Sequence, residues 1–162
     1  MVNLVIMRHG EAVAQSSTDS ERPLTNRGEA EATQIGQWLD SSYRQFDLIL
    51  CSPYLRTRQT AQQVQQQLRN HPPIEVLSDL VPEGDCRQVQ LYLDARLSMQ
   101  PMRVLLVSHM PLVSFLVETF TKSGNTPIFD TAAIACLHYE VGEAGVLLEK
   151  TSPAELALRT HR

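Results

Sequence analysis

The sequence of 162 residues lacks any apolar run long enough to cross a membrane. Its longest apolar tract, Val104 to Val117, is interrupted by Ser108, His109 and Pro111. The apolar start, Met1 to Met7, is too short for a signal sequence and runs at once into Arg8. A protein neither exported nor membrane-anchored is expected, with a cytoplasmic location. Cysteine is scarce: Cys51, Cys86 and Cys136 are odd in number and far apart, which argues against a disulfide framework. No Cys-x-x-Cys pair offers a thiolate zinc site. The formal charge of -4, with lysine and arginine scattered, leaves no basic stripe for nucleic acid or an anionic membrane. Paired aspartates of a two-metal phosphatase are also missing.

What remains is globular: 43% of residues are apolar and 20% charged, within the ordinary range. Several short apolar runs show no alternation, namely Val2–Met7, Asp47–Cys51 and Arg103–Val107. Such runs predict strands buried on both faces. Ile74–Leu77, Ala133–Tyr139 and Gly145–Lys150 are further strand candidates. Between them, helical patterns span about Thr25–Tyr43 with Thr25 as N-cap, Tyr54–Leu68 with Pro53 at its first turn, Gln88–Leu97, and Pro111–Lys122. The tail from Thr151 is expected to be loosely ordered. Strands alternating with helices predict an α/β fold with a mostly parallel sheet, in one domain over residues 1–162.

Polar groups of one character follow three of the buried runs. The first leads into Arg8-His9-Gly10, the second into Ser52-Pro53-Tyr54-Leu55-Arg56, and the third into Ser108-His109. In open α/β sheets the ligand crevice lies beyond the carboxyl ends of the strands. Two arginines and two histidines would therefore meet in one crevice. Guanidinium forks match phosphate oxygens, and helix starts near Pro53 and Pro111 would add positive dipole ends. A neutral imidazole can attack phosphorus and form a covalent intermediate, and this chemistry needs no metal ion. Each motif alone also fits a structural role: a loop, a solvated arginine, a capping histidine. Their joint placement at strand ends favours the site. Cys51 as a thiolate nucleophile is disfavoured, because its distance in sequence to Arg56 is one residue short of the phosphate-cradling loop that chemistry needs. It is expected to be a small core residue.

These segments carry a resemblance. Val5-Ile6-Met7-Arg8-His9-Gly10-Glu11-Ala12, Arg22-Pro23-Leu24-Thr25 with Arg27-Gly28, Ser52 to Ala61, Leu106 to Val113 and Asp130 to Ala135 resemble the histidine phosphatase superfamily, also called phosphoglycerate-mutase-like or RHG. Within it, the chain is similar to the short SixA-type phosphohistidine phosphatases. The resemblance covers roughly residues 2–140. It implies a three-layer α/β/α domain, no cofactor, phosphorylation of His9 during turnover, and a phosphoryl group surrounded by Arg8, Arg56 and His109. Gly10, Ser16, Arg22 and Ser52 are implied substrate contacts. Glu83, in the short stretch Leu80 to Asp85, is the candidate general acid. The implied partner is a phosphohistidine-bearing phosphotransfer domain of a bacterial sensor kinase, met by a monomer with an uncovered crevice. A small-metabolite phosphatase or mutase on the same scaffold, and a non-catalytic phosphohistidine-binding module, stay open as alternatives.

Overall fold

The structure, a computed structural model, describes residues 1–15 and 18–160. Six strands form one sheet in the order β3-β2-β4-β1-β5-β6. They are β1 (Leu4–Arg8), β2 (Leu48–Cys51), β3 (Ile74–Val76), β4 (Val104–Ser108), β5 (Ile134–His138) and β6 (Val146–Thr151). Pairings β2–β3, β2–β4 and β1–β4 are parallel, while β5 runs against both β1 and β6. The mostly parallel α/β expectation holds, with β5 the one strand of the sheet that runs against the others.

The unbroken apolar runs are explained by the two cores they serve. On one face, Leu4, Ile6, Leu48, Leu50, Val104 and Leu106 pack with Val89 and Leu93 of α3 (Cys86–Met99) and with Leu112, Leu116 and Phe120 of α4 (Leu112–Thr121). On the other, Val5, Met7, Ile49, Cys51, Leu105 and Val107 pack with Ala32, Ile35 and Leu39 of α1 (Asn26–Tyr43) and with Ala61 and Val64 of α2 (Leu55–Gln67). Successive side chains of a strand point to opposite faces, so a strand covered by helices on both sides must be apolar at every position. The result is three layers, α/β/α.

Helix starts follow local chemistry. Thr25 caps α1, its Oγ1 accepting from the Gly28 N–H at 3.0 Å, and the Asp85 carboxylate caps α3 through the Arg87 N–H at 2.9 Å. Two proline expectations shift by a position or two. Pro53 precedes the N-cap Tyr54 and is not in the first turn of α2. Pro111 is itself the N-cap of α4. The tail corrects the sequence reading more substantially: Pro153–Thr160 forms α5. Ser152 Oγ accepts from the Glu155 N–H at 3.2 Å, and Leu156 is buried in the α1–α2 side of the core. A hydroxyl cap, a proline at the first helical position and one apolar anchor are enough to order it.

Candidate active site at the carboxyl ends of three adjacent strands

Strands β2, β4 and β1 are neighbours and parallel, so the residues following them emerge side by side. The His9 N–H donates to the Ser108 carbonyl at 3.0 Å, and the Ser52 N–H donates to the Val107 carbonyl at 3.3 Å. The ladder thus continues into the site. The His9 carbonyl in turn accepts from the Ala132 N–H at 2.9 Å. Ala132 reaches it in a left-handed conformation, φ 59°, which costs an alanine on the order of 1 kcal/mol. His9 is therefore held on both sides by main-chain bonds before its side chain does anything.

A crevice of about 370 Å³ opens there, lined by Arg8, His9, Arg22, Arg56, His109 and Glu83 among others. The expected quartet of Arg8, His9, Arg56 and His109 does converge. The His9 and His109 rings lie 5.2 Å apart, centroid to centroid, inclined at 64°. His9 Nδ1 is 2.7 Å from the Gly10 carbonyl oxygen, and a carbonyl only accepts, so Nδ1 carries the proton. His9 Nε2 accepts from the Arg56 Nε–H at 3.3 Å. The tautomer with a bare Nε2 pointing at a guanidinium is thereby selected. Burial lowers the His9 pKa to about 4, and the positive charges of Arg56, Arg8 and Arg22 act the same way against the Gly10 bond. Burial also pulls His109 down, to about 2, with His9 and Arg56 adding to it. Both rings are neutral at neutral pH.

The arginines are positioned from different elements. Arg8, at the end of β1, donates Nη1–H to the Phe129 carbonyl at 2.9 Å. Its Nε is buried without a partner among the described residues, as is His109 Nδ1. Arg56, in the first turn of α2, is only 4% exposed. Its guanidinium lies 4.9 Å from the Tyr54 ring centroid, and Tyr54 also meets His109 edge-on at 4.9 Å. Burial lowers the pKa of Arg8 and of Arg56 from the ordinary arginine value. The guanidinium groups of Arg8 and Arg56, with Arg8 Nε–H and His109 Nδ1 buried and unpartnered among the described residues, make a site for a tetrahedral oxyanion.

Arg22 and Glu83 line the crevice with the quartet. Gly10 and Ser52, expected as substrate contacts, do not line it, and their polar groups face protein instead. The Gly10 N–H donates to Thr60 Oγ1 at 3.1 Å, and its carbonyl orients His9. Ser52 is fully buried, with Oγ 2.7 Å from His109 Nε2 and 2.6 Å from Thr57 Oγ1. These two residues hold the histidines. Ser16 lies outside the described residues.

Two residues that the sequence reading did not single out stand in or behind the crevice. Asp19 bridges Arg22 and Arg56. Glu31, on α1, accepts from the Glu11 N–H at 2.9 Å and from Thr131 Oγ1–H at 3.0 Å. It ties the loop after β1 to the loop before β5. A larger groove of about 630 Å³ lies at the opposite end of the sheet, beside Val2, Asp47 and Arg103. There Arg103 Nε and Nη1 already donate to the carbonyls of Val2, Tyr43 and Gln45, and no histidine among the described residues lines it.

Comparison with known proteins agrees with this geometry. The family model of the histidine phosphatase superfamily (branch 1) matches residues 4–81. Phosphohistidine phosphatase SixA of Escherichia coli (strain K12) is 35% identical over 157 residues, covering 97% of this chain and 98% of the relative.

The chain belongs to the histidine phosphatase superfamily.

A phosphohistidine phosphatase SixA homolog of Haemophilus influenzae is 34% identical over 159 residues, covering 94% of this chain and 97% of the relative. Among solved structures, the protein histidine phosphatase SixA complexed with tungstate superposes with a TM-score of 0.90 at 36% identity, over 94% of this chain and 98% of that one. The three-layer architecture of this histidine phosphatase is thus that of SixA. No helix among its described residues is long and apolar enough to cross a membrane.

Proposed function

We propose that this histidine phosphatase removes phosphoryl groups from histidine side chains of a partner protein, through a phosphorylated His9. The carrying observation is the His9 ring itself: Nδ1–H is tied to the Gly10 carbonyl at 2.7 Å, leaving a neutral, unprotonated Nε2 beside the Arg56 Nε–H at 3.3 Å. An in-line attack by Nε2 on phosphorus forms the N–P bond and breaks the bond to the leaving nitrogen. Arg8, Arg56 and Arg22 take the charge on the equatorial oxygens. A phosphoryl oxygen at His109 Nδ1 selects the tautomer with the proton on Nδ1, and Nε2 then accepts from Ser52 Oγ–H. Water attacks the phospho-His9 intermediate in the second step, returning His9 and releasing inorganic phosphate.

The substrate class follows from similarity and chemistry together. The two curated SixA relatives are phosphohistidine phosphatases by name, and a tungstate complex of SixA has a tetrahedral oxyanion as its ligand. An imidazole leaving group is readily protonated, so the P–N bond makes little demand on a dedicated acid. The physiological partner would be a phosphohistidine-bearing phosphotransfer domain in the cytoplasm. A second reading, hydrolysis of small phosphate esters, is favoured by one observation: Glu83 lines the same crevice and would serve as acid for an alkoxide leaving group.

Hydrolysis of a phosphohistidine-bearing photsphotransfer domain, p-nitrophenyl phosphate and small sugar phosphates by wild type and His9→Ala tests the assignment. A His9-dependent preference for the phosphoprotein is expected. A preference for the esters, lost in Glu83→Gln, would replace this reading by the second.

A further inference from the structure

The crevice is lined by three guanidinium groups, Arg8, Arg22 and Arg56, and by three carboxylates, Glu11, Asp19 and Glu83. Its formal charges cancel, which is unexpected for a site that must attract a phosphoryl group. Asp19 accounts for most of the contact between the two sets. Its Oδ1 accepts from Arg22 Nε–H at 2.9 Å and its Oδ2 from Arg56 Nη2–H at 3.3 Å. Its main-chain carbonyl accepts from Arg56 Nη1–H at 2.8 Å. One oxygen on each of two arginines is the arrangement a phosphoryl oxyanion would take. The remaining Arg56 donor, Nε, faces His9 Nε2 at 3.3 Å, so the carboxylate and the nucleophile share one guanidinium group.

We propose that Asp19 is a resident counter-anion of the phosphoryl site, a specificity-determining carboxylate that an incoming phosphoryl group displaces from Arg56 and Arg22. This deepens the proposed phosphohistidine activity and rests on it. The position of Asp19 suits exchange. It belongs to a three-residue 3-10 turn, Asp19–Glu21, its side chain is 61% exposed, and the two arginines are its only side-chain partners among the described residues. Arg56, in contrast, is 4% exposed and fixed. The member of the pair with solvent to turn into is therefore the carboxylate. A monoanionic carboxylate ligand gains little by exchanging for an equivalent group. A dianionic phosphoryl group, with more charge and three oxygens, gains enough. The same competition acts on inorganic phosphate after hydrolysis and favours its departure.

The opposite role for Asp19, holding both arginines in place for substrate, predicts the opposite sign, which makes the proposal testable by binding alone. Inorganic phosphate is titrated calorimetrically into wild type, Asp19→Asn, Asp19→Ser and Glu21→Gln at one ionic strength near neutral pH. Thermal melting confirms that each variant is folded. Both Asp19 variants are expected to bind phosphate about fivefold tighter, the factor for a solvent-exposed ion pair of about 1 kcal/mol. Glu21, exposed on the same turn, controls for overall charge, and Glu21→Gln is expected to stay within about twofold of wild type. Unchanged or weaker phosphate binding by the Asp19 variants, or an equal gain in Glu21→Gln, would overturn the proposal. Phosphate binding by none of the proteins would overturn it together with the phosphoryl-site reading. Because binding is measured and not turnover, a wild type that binds phosphate but leaves phosphohistidine intact would remove the proposed activity alone. The sign of the Asp19 effect would still decide the role of Asp19.

Discussion

Acid should destabilise this protein through His9 by an amount the structure sets. The folded-state pKa of His9 is lowered by burial to about 4, against 6.5 for the free side chain. A group that binds its proton more weakly when folded contributes nothing to the pH dependence above pH 6.5. Between pH 6.5 and about 4 the unfolded chain takes up the proton and the folded chain does not, so stability falls as pH falls. The gap of about two and a half pH units corresponds to about 3 kcal/mol in full, and to about 2 kcal/mol at pH 4.5. His9→Asn keeps a neutral hydrogen-bonding side chain and removes the titration. Urea unfolding of both proteins at pH 7 and pH 4.5 measures the difference, with carboxylate contributions common to the two. Wild type should lose about 2 kcal/mol more than His9→Asn over this interval. Equal losses would show that His9 is not held neutral by its surroundings, and the argument for a neutral nucleophile would fail with it.

Three further outcomes follow from named contacts. Ser52→Ala removes the partner of His109 Nε2 at 2.7 Å without touching the crevice surface; kcat/KM should fall about tenfold, the worth of one hydrogen bond near 1.4 kcal/mol, mainly through kcat in steady-state assays. Cys51→Ser should keep activity within about twofold, because Cys51 is fully buried and burial raises its thiol pKa to about 11, far from a reactive thiolate. Gly28→Ala should cost at least ~2 kcal/mol in urea unfolding, since a Cβ there would stand 2.0 Å from the Glu11 carbonyl oxygen and push the start of α1 away from the loop that carries His9.

The strands at the site were legible because full burial on both faces leaves an unmistakable apolar run, as in Leu48–Cys51 and Val104–Ser108. The convergence of Arg8, His9, Arg56 and His109 was legible for the same reason, since each follows such a run or opens the helix after it. The lateral order β2-β4-β1 was not, because pairing between distant segments depends on packing that no local pattern records. Asp19 escaped for a related reason. Its bond to Arg56 spans 37 positions, and only its i,i+3 spacing to Arg22 hinted at a role. Ser52 and Gly10 were expected as substrate contacts, and in the structure their polar groups bond His109, Thr57, Thr60 and His9, since residue type does not say whether a hydroxyl or carbonyl faces crevice or protein. The α5 helix shows a signal read too weakly: Ser152-Pro153-Ala154-Glu155 has the cap, first-turn proline and third-position acid of a helix start.

The central claim is that the phosphoryl group passes through His9 Nε2. A 32P-labelled phosphohistidine protein mixed with wild type and quenched in alkali on the millisecond scale would capture the intermediate, and peptide mapping would locate the label. Transient label is expected on the peptide containing His9, attached at Nε2 and absent from His9→Ala, with its decay matching phosphate release. Rapid hydrolysis with no labelled enzyme at any time point, or label on another residue, would contradict it.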